Sequence, residues 1–258
     1  SYRFGETAQL LYEFFWNSYC DWYVEIAKTQ LNNPSTKLNT QRVLRYVLER
    51  TLRLLHPVMP HITEEIWQLI PGKIYKNSMQ SIMLTNFPSY DMGLKDKIAE
   101  SKLNTAIETI KSLRNIRQAF NIPVSATIQA KIYSEEAAAK ETFEVIRPYI
   151  EKFAKVERLS VKAGIPNEIP AQSATTMMGT SLIVVPLVGL IDLDKEVQRQ
   201  NKKLETLVQE KKGLDSRLSS PKFLESAPKE VITLTKERIK EIEQQSQAIQ
   251  ELLKSLAK

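Results

Sequence analysis

A chain of 258 residues with 42% apolar and 26% charged side chains can bury a sizeable core and is too apolar to be globally disordered. Its net charge of +6 leans toward a polyanionic partner without specifying a fold. A single cysteine, Cys20, excludes an internal disulfide framework and suits a reducing compartment, and the longest apolar run, Leu182 to Ile191, is too short and too interrupted by Pro186 and Gly189 to span a bilayer.

The chain opens S-Y-R-F-G-E without an initiator methionine, so it is expected to be a piece of something longer. Leu11, Phe15, Tyr19, Trp22 and Ile26 then recur at helical spacing until L-N-N-P-S-T-K-L-N breaks the pattern. Trp16, Trp22 and Trp67 read as core at that spacing, against the alternative of base-stacking platforms. A second helix is expected from Thr40 to Leu55, with Val43, Val47 and Leu54 along one side and Arg42, Arg45 and Arg53 on or beside the other.

Leu54 to Gln68, L-L-H-P-V-M-P-H-I-T-E-E-I-W-Q, sets His56 and His61 within the spacing of half a zinc site. Pro57 and Pro60 prevent the continuous helix that a metalloprotease pair needs, so no metal and no catalytic residue is assigned. A helix junction accounts for every residue instead. His56 precedes a proline and is expected to be extended; Pro60 suits the first turn of the next helix; Glu64 and Glu65 sit near its positive end. Ile62, Ile66, Trp67 and Ile70 are its expected buried face.

The pattern changes at Leu94. A helix carrying K-S-L-R-N-I-R-Q-A-F ends at Asn121-Ile122-Pro123, and S-A-T-I-Q-A-K-I-Y alternates Ala126, Ile128, Ala130 and Ile132 with polar residues, as a strand does. Glu135 to Phe153 reads as a helix, and V-E-R-L-S-V-K-A-G and S-L-I-V-V-P-L-V-G as further strands, which together predict a small α/β or α+β module. From Asp192 the spacing alternates between four and three. One seam runs through Leu193, Val197, Gln200, Leu204, Leu207, Lys211, Leu214 and Leu218, and a second through Ile232, Thr235, Ile239, Ile242, Ser246, Ile249, Leu253 and Leu256. Joined by S-S-P-K-F-L-E-S-A-P-K-E, they predict an antiparallel coiled-coil hairpin with arms of roughly 40 Å. The expected fold class is therefore mainly α: a helical domain at 1–93, a small α/β module at 94–190 and a coiled-coil arm at 191–258.

Several of these segments resemble a known family. L-H-P-V-M-P-H-I-T-E-E-I-W-Q resembles the signature of the helical anticodon-binding domain of class I aminoacyl-tRNA synthetases of the valine, isoleucine and leucine group, with His61 where many members carry phenylalanine. W-N-S-Y-C-D-W-Y-V-E-I-A-K looks like its valine-specific version, and R-N-I-R (Arg114 to Arg117), P-L-V-G-L-I-D-L-D-K-E and F-L-E-S-A-P-K-E-V extend the likeness to the end of the chain. The chain thus resembles the C-terminal part of bacterial-type valyl-tRNA synthetases. The resemblance implies tRNA(Val) and the rest of the synthetase chain as partners, a cytoplasmic location, and a monomer when intact. It implies ATP with magnesium for the whole enzyme only. The H-I-G-H and K-M-S-K-S signatures of the catalytic domain are absent from these 258 residues, as is any Gly-rich phosphate loop. The helical domain is expected to be truncated at its N-terminus, and this piece to bind tRNA without catalysis or a cofactor of its own.

Phosphate contacts need Lys and Arg along one surface. The candidates are Arg42, Arg45 and Arg53; Lys111, Arg114 and Arg117, recurring every three residues and expected to project together; and, on the first arm, Lys195, Arg199, Lys202 and Lys203, with Lys211, Lys212 and Arg217 beyond. The bland alternative for each is a solvated helix face, and Glu205, Glu210 and Asp215 interrupt the arm's basic stripe. Arg238 in K-E-R-I-K is different. The resemblance implies that it stacks on the outer tertiary base pair of the tRNA elbow, which suits a planar guanidinium; the alternative is surface pairing with Glu237 or Glu241. Against tRNA binding as a whole stands a protein-interaction scaffold whose hairpin binds another coiled coil.

Overall fold

The structure is a computed structural model describing residues 3–71, 81–136, 139–220 and 227–256, and it divides into two compact units, Ser1–Lys97 and Ile98–Lys258.

In the first unit, α1 (Phe4–Glu13) runs through a π-helical stretch, Phe14–Val24, into α2 (Glu25–Leu31). Such turns hold more than four residues, so side chains four apart come almost above one another and their rings stack. Phe15 and Tyr19 lie 5.5 Å apart, Tyr19 and Tyr23 6.0 Å, and Tyr12 and Trp16 6.3 Å. Tyr19 is the buried member, and its hydroxyl donates to Leu44 O at 2.8 Å. Burial pushes its phenol up to about 12. Trp16 departs from its expected core place: it is 54% exposed, whereas Trp67 is buried. α-Helical spacing does not carry over into wider turns, so Trp16 rotates outward onto Tyr12.

α3 (Pro34–Leu55) starts six residues before the expected Thr40. L-N-N-P does not keep the chain out of helix. Asn33 caps the new helix, its Oδ1 accepting from Ser35 N at 3.0 Å, and Pro34 takes the first helical position, where no N–H is required. α4 (Pro60–Leu69) opens on Pro60 as expected. His56, expected to be extended before Pro57, is instead right-handed helical, its N–H donating to Leu52 O at 2.9 Å. Val58 and Met59 N–H groups continue that turn onto Leu55 O; these bonds outweigh the pre-proline preference. The core joins Leu52, Trp67, Ile70 and Ile82, with Leu48 and Ile66 packed against them. Ile62 is 57% exposed, contrary to its expected inward place, which Thr63 takes.

In the second unit α5 (Lys97–Ala119) precedes β1 (Ile128–Ser134), α6 (Ala139–Ala154), β2 (Val156–Ala163), β3 (Ser173–Met178) and β4 (Ser181–Pro186). The sheet order is β2-β1-β4-β3, with β1 and β2 parallel across the α6 crossover and the other pairs antiparallel. Inward Ile128, Ala130 and Ile132 follow the predicted alternation, while β4 is buried from Ser181 through Val185, as an inner strand must be. β3 was not foreseen, because S-A-T-T-M-M lacks bulky alternation. It is recruited by a two-residue hairpin in which Gly179, at φ +56°, supplies the turn. α6 begins later than the expected Glu135; of the residues between, 137–138 fall outside those described.

α7 (Leu193–Leu218) and α8 (Lys229–Leu256) form the hairpin, with residues 221–226 of its link outside the described residues. All sixteen seam positions named above are buried or half-buried. Leu207, Ile242 and Ile249 make its core, packed by Leu204, Leu214 and Leu253. Twenty-six and 28 residues give arms of about 39 and 42 Å. Gln200 and Lys203 on the first arm lie beside Ala248, Ile249 and Leu252 of the second, whereas Glu210, further along, pairs with the earlier Arg238, so the arms are antiparallel. Their root is tied to the α/β module: α8 packs on β3, and Arg199 donates to Ala119 O at the end of α5.

Candidate nucleic-acid interface

A guanidinium carries five donors in a fixed fork and no acceptor, so what each arginine donates to decides what it can still bind. On α3, Arg42 is exposed. Arg45 Nε donates to Glu49 Oε1 at 2.7 Å, and Glu49 is itself buried. Arg53 Nη1 donates to Asn86 O at 3.0 Å. Arg50, which sequence reasoning passed over, donates to Ser89 O at 2.9 Å and lies 4.5 Å over the Tyr46 ring. Arg50 and Arg53 thus clip the 86–89 stretch to the helix. No pattern in the sequence announces it, since both acceptors are backbone carbonyls more than thirty residues away.

The two histidines are not brought together as metal ligands. His56 Nδ1 lies 2.7 Å from Thr63 Oγ1, whose own proton goes to Met59 O at 2.7 Å, so the imidazole is the donor and serves the junction. His61 is exposed. Among the described residues no group of three or more His, Cys, Asp or Glu could hold a metal ion. Glu64 reaches away from its helix end: Ser81 Oγ and Ile82 N–H donate to Oε2 at 2.8 and 3.0 Å. Partial burial raises its pKa, but the bonds from Gln68, Ser81 and Ile82 outweigh it and hold the carboxyl below its ordinary value.

The triplet on α5 does not share a solvent face. Lys111 is exposed, Arg114 donates from Nε and Nη2 to Phe153 O at 3.2 and 3.1 Å, and Arg117 is only 9% exposed. Arg117 Nη2 donates to Pro123 O at 2.8 Å and to Ala126 O, and Nη1 reaches Ala154 O at 3.5 Å. Burial pulls its pKa down. A three-residue spacing turns 300° in an α-helix, so the row slides off the exposed face within two steps.

On the hairpin, Lys195 pairs with Asp192 at 3.1 Å and Arg199 with Glu196 at 2.6 Å. Lys202, Lys203, Lys212 and Arg217 are exposed and form no ion pair among the described residues. Lys211 sits half-buried in the seam, 2.6 Å from Glu243 of the other arm. Arg238 is gripped by two carboxylates. Nε and Nη2 donate to Glu210 Oε1 and Oε2 at 2.9 and 3.2 Å, and Nη1 to Glu241 Oε2 at 3.1 Å. The fork is held flat beside the seam and still partly exposed. These bonds raise the pKa of Arg238 and lower that of Glu210. Such an arrangement can present cations to a phosphate backbone and one guanidinium plane to a base.

Comparison with known proteins agrees. Residues 1–155 match the family model of the anticodon-binding domain of tRNA ligase, and residues 192–257 that of the valyl tRNA synthetase tRNA binding arm. The first match runs past the division at Lys97 and through α6, so family limits and compact units partition the chain differently. A valine–tRNA ligase of Synechocystis sp. is 36% identical over 262 residues, which cover 99% of this chain and 28% of that protein. The same enzyme of Syntrophotalea carbinolica is 36% identical with the same coverage, and that of Listeria innocua 37% identical over 93% of this chain and 26% of its own length. The chain therefore spans about 28% of the length of the first relatives it matches. With more than half of its residues inside one family model, it belongs to the family of anticodon-binding domains of tRNA ligases.

Proposed function

We propose that this chain is the tRNA-binding region of a valine–tRNA ligase. The hairpin grips the elbow of tRNA(Val) through Arg238, Lys195, Arg199, Lys202 and Lys203. The helical and α/β modules approach the anticodon stem through Arg42, Arg45, Arg53, Lys111 and Arg114, while Arg117 acts from beneath. Joining valine to tRNA with ATP and magnesium belongs to the intact enzyme, proposed to be a cytoplasmic monomer; the sequence carries no Gly-rich phosphate loop, and among the described residues no cluster could hold a metal ion. The observation that carries the reading is the hairpin itself. It is anchored at its root by Arg199 and β3, extends about 40 Å, and bears on its first arm Lys202, Lys203 and Lys212, which are exposed and form no ion pair among the described residues.

The test is binding of the chain to valine tRNA and a non-cognate tRNA at two salt concentrations, with Arg238→Ala alongside. Affinity is expected to fall steeply with salt, by about tenfold or more between low and physiological ionic strength, and to fall further for Arg238→Ala. No binding of either tRNA at low salt overturns the reading. Exposed Val208, Val231 and Leu234 on the arms favour the second reading, a hairpin that docks another helix. A defined protein complex without tRNA affinity would select it.

A further inference from the structure

Where α5 and α6 end, the second unit forms a half-open cleft of about 730 Å³, within the range of small-molecule sites. Its floor is apolar, formed by Ile122, Phe153 and Ala154. Its rim carries Arg114 and Lys155, both exposed, and no carboxylate is among the described residues that line it. Both helices bring a C-terminus to the cavity, worth about half a negative charge each, so the three lining cations leave it net positive by about two charges. Arg117 ties the Pro123–Ala126 turn to Ala154 from below, so the walls are preformed.

Both walls are also strained. Asn121 at φ +50° and Lys155 at φ +52° are two of only three non-glycine residues with positive φ among those described. Asn121 closes α5 in a Schellman arrangement, with Ile122 N–H donating to Arg117 O and its own N–H to Gln118 O. Asparagine tolerates that place. Lysine at the corresponding place after α6 does not do so cheaply, since glycine is the residue that removes the penalty. A lysine held in a conformation that glycine adopts more cheaply, and lining a cationic cleft, marks the place as a site for a ligand. An apolar floor asks for a flat body, the Gln118 and Asn121 amides on the rim for polar edges, and Lys155 with Arg114 for an anion. Pro123 and Val124 leave the mouth open, so the ligand can remain part of a longer strand.

We propose that this cavity receives one unpaired nucleotide of an RNA strand, its base against Phe153 and Val124 and its phosphate toward Lys155 and Arg114. The proposal rests on the RNA-binding function above and goes from backbone contact to a base pocket; all ten lining residues fall inside the anticodon-binding match.

The test uses the full chain and a labelled single-stranded heptaribonucleotide of mixed sequence, with AMP as competitor. Val124 is 78% exposed, so Val124→Trp should block the mouth without unfolding the protein and weaken binding about tenfold, the worth of one stacked base. Lys155→Gly should weaken binding about threefold, lower the salt slope by about one and raise the melting temperature, a pair of opposite signs that a merely structural lysine would not give. Unchanged heptamer affinity in both variants overturns the pocket. AMP competing as well as the heptamer overturns the RNA strand as its source. If valine tRNA fails to bind while the heptamer binds and responds to Val124→Trp, the pocket stands and the wider function falls. If tRNA binds normally and the heptamer is insensitive to both variants, the pocket alone falls.

Discussion

Arg117 at the end of α5 and Arg238 on the second hairpin arm are the same side chain in two regions of one unit, and the difference between them is what each donates to. Arg117 is buried and faces backbone carbonyls of Pro123, Ala126 and Ala154, joining two chain segments at once. Arg238 stands at a seam edge and faces the carboxylates of Glu210 and Glu241, both of which lie in water. A carbonyl bond formed in the interior is structural, because breaking it strands a buried acceptor. A carboxylate bond at the surface is worth little and is exchangeable, because water and salt already screen it. A phosphate can replace Glu210 around Arg238. It cannot replace Pro123 O around Arg117.

The largest effect that tests this contrast is on stability. Arg117→Ala removes a buried fork that ties two segments together, so the second unit should lose about 2–3 kcal/mol in denaturant unfolding. Arg117→Lys should restore only part of it, since one ammonium cannot span carbonyls on two segments. A variant that folds normally and merely loses tRNA affinity would break the comparison. Comparable in size, Ile242→Ala in the centre of the hairpin seam, where the side chain is fully buried, should cost about 2–3 kcal/mol. The loss should appear as helix melting in circular dichroism, with the sheet intact. Smaller still, Glu210→Gln should release Arg238 from its strongest partner and raise tRNA affinity about two- to threefold, the scale of a surface pair. No change, or weaker binding, would mean that Glu210 positions the guanidinium for RNA.

Elements whose side-chain pattern is their own were legible in the sequence. The hairpin seam repeats over both arms, and every position in it is at least half-buried, because two long helices can only bury the stripe they share. β1 and β4 follow for the same reason. What was not legible depends on distant or backbone partners. β3 exists because Gly179 folds it onto β4. Trp16 turns outward because the turns around it are wider than an α-helix. Among the candidate contacts, exposed Lys202, Lys203 and Lys111 sit where a basic stripe predicts, whereas Arg53, Arg114 and Arg117 are held by carbonyls that no residue type encodes. The prolines between His56 and His61 mark a helix junction, and Thr63 completes it by its bond with His56.

The smallest effect is on pH. The Glu210 carboxyl is lowered from its ordinary value of 4.5, first by the hydrogen bonds from Arg238, against a slight desolvation and with the guanidinium charge adding to them. A carboxyl lowered in the folded state favours folding wherever it is ionised, so its contribution is complete above 4.5 and disappears as the pH falls through the lower folded value. Acidification below that point should therefore loosen the two arms, seen as faster hydrogen exchange around Glu210 and Arg238 than around Leu207 and Ile242. Glu210→Gln has no such proton to take up, and its exchange should stay flat across the same window. Glu241 and Glu243 flank the same seam, so Glu241→Gln and Glu243→Gln each serve as controls. If wild type and Glu210→Gln loosen alike, another group carries the acid response and the Glu210 grip on Arg238 is no stronger than water's. If the wild type and both controls loosen while Glu210→Gln does not, Arg238 is held by an exchangeable partner, and the contrast with Arg117 holds at its weakest point.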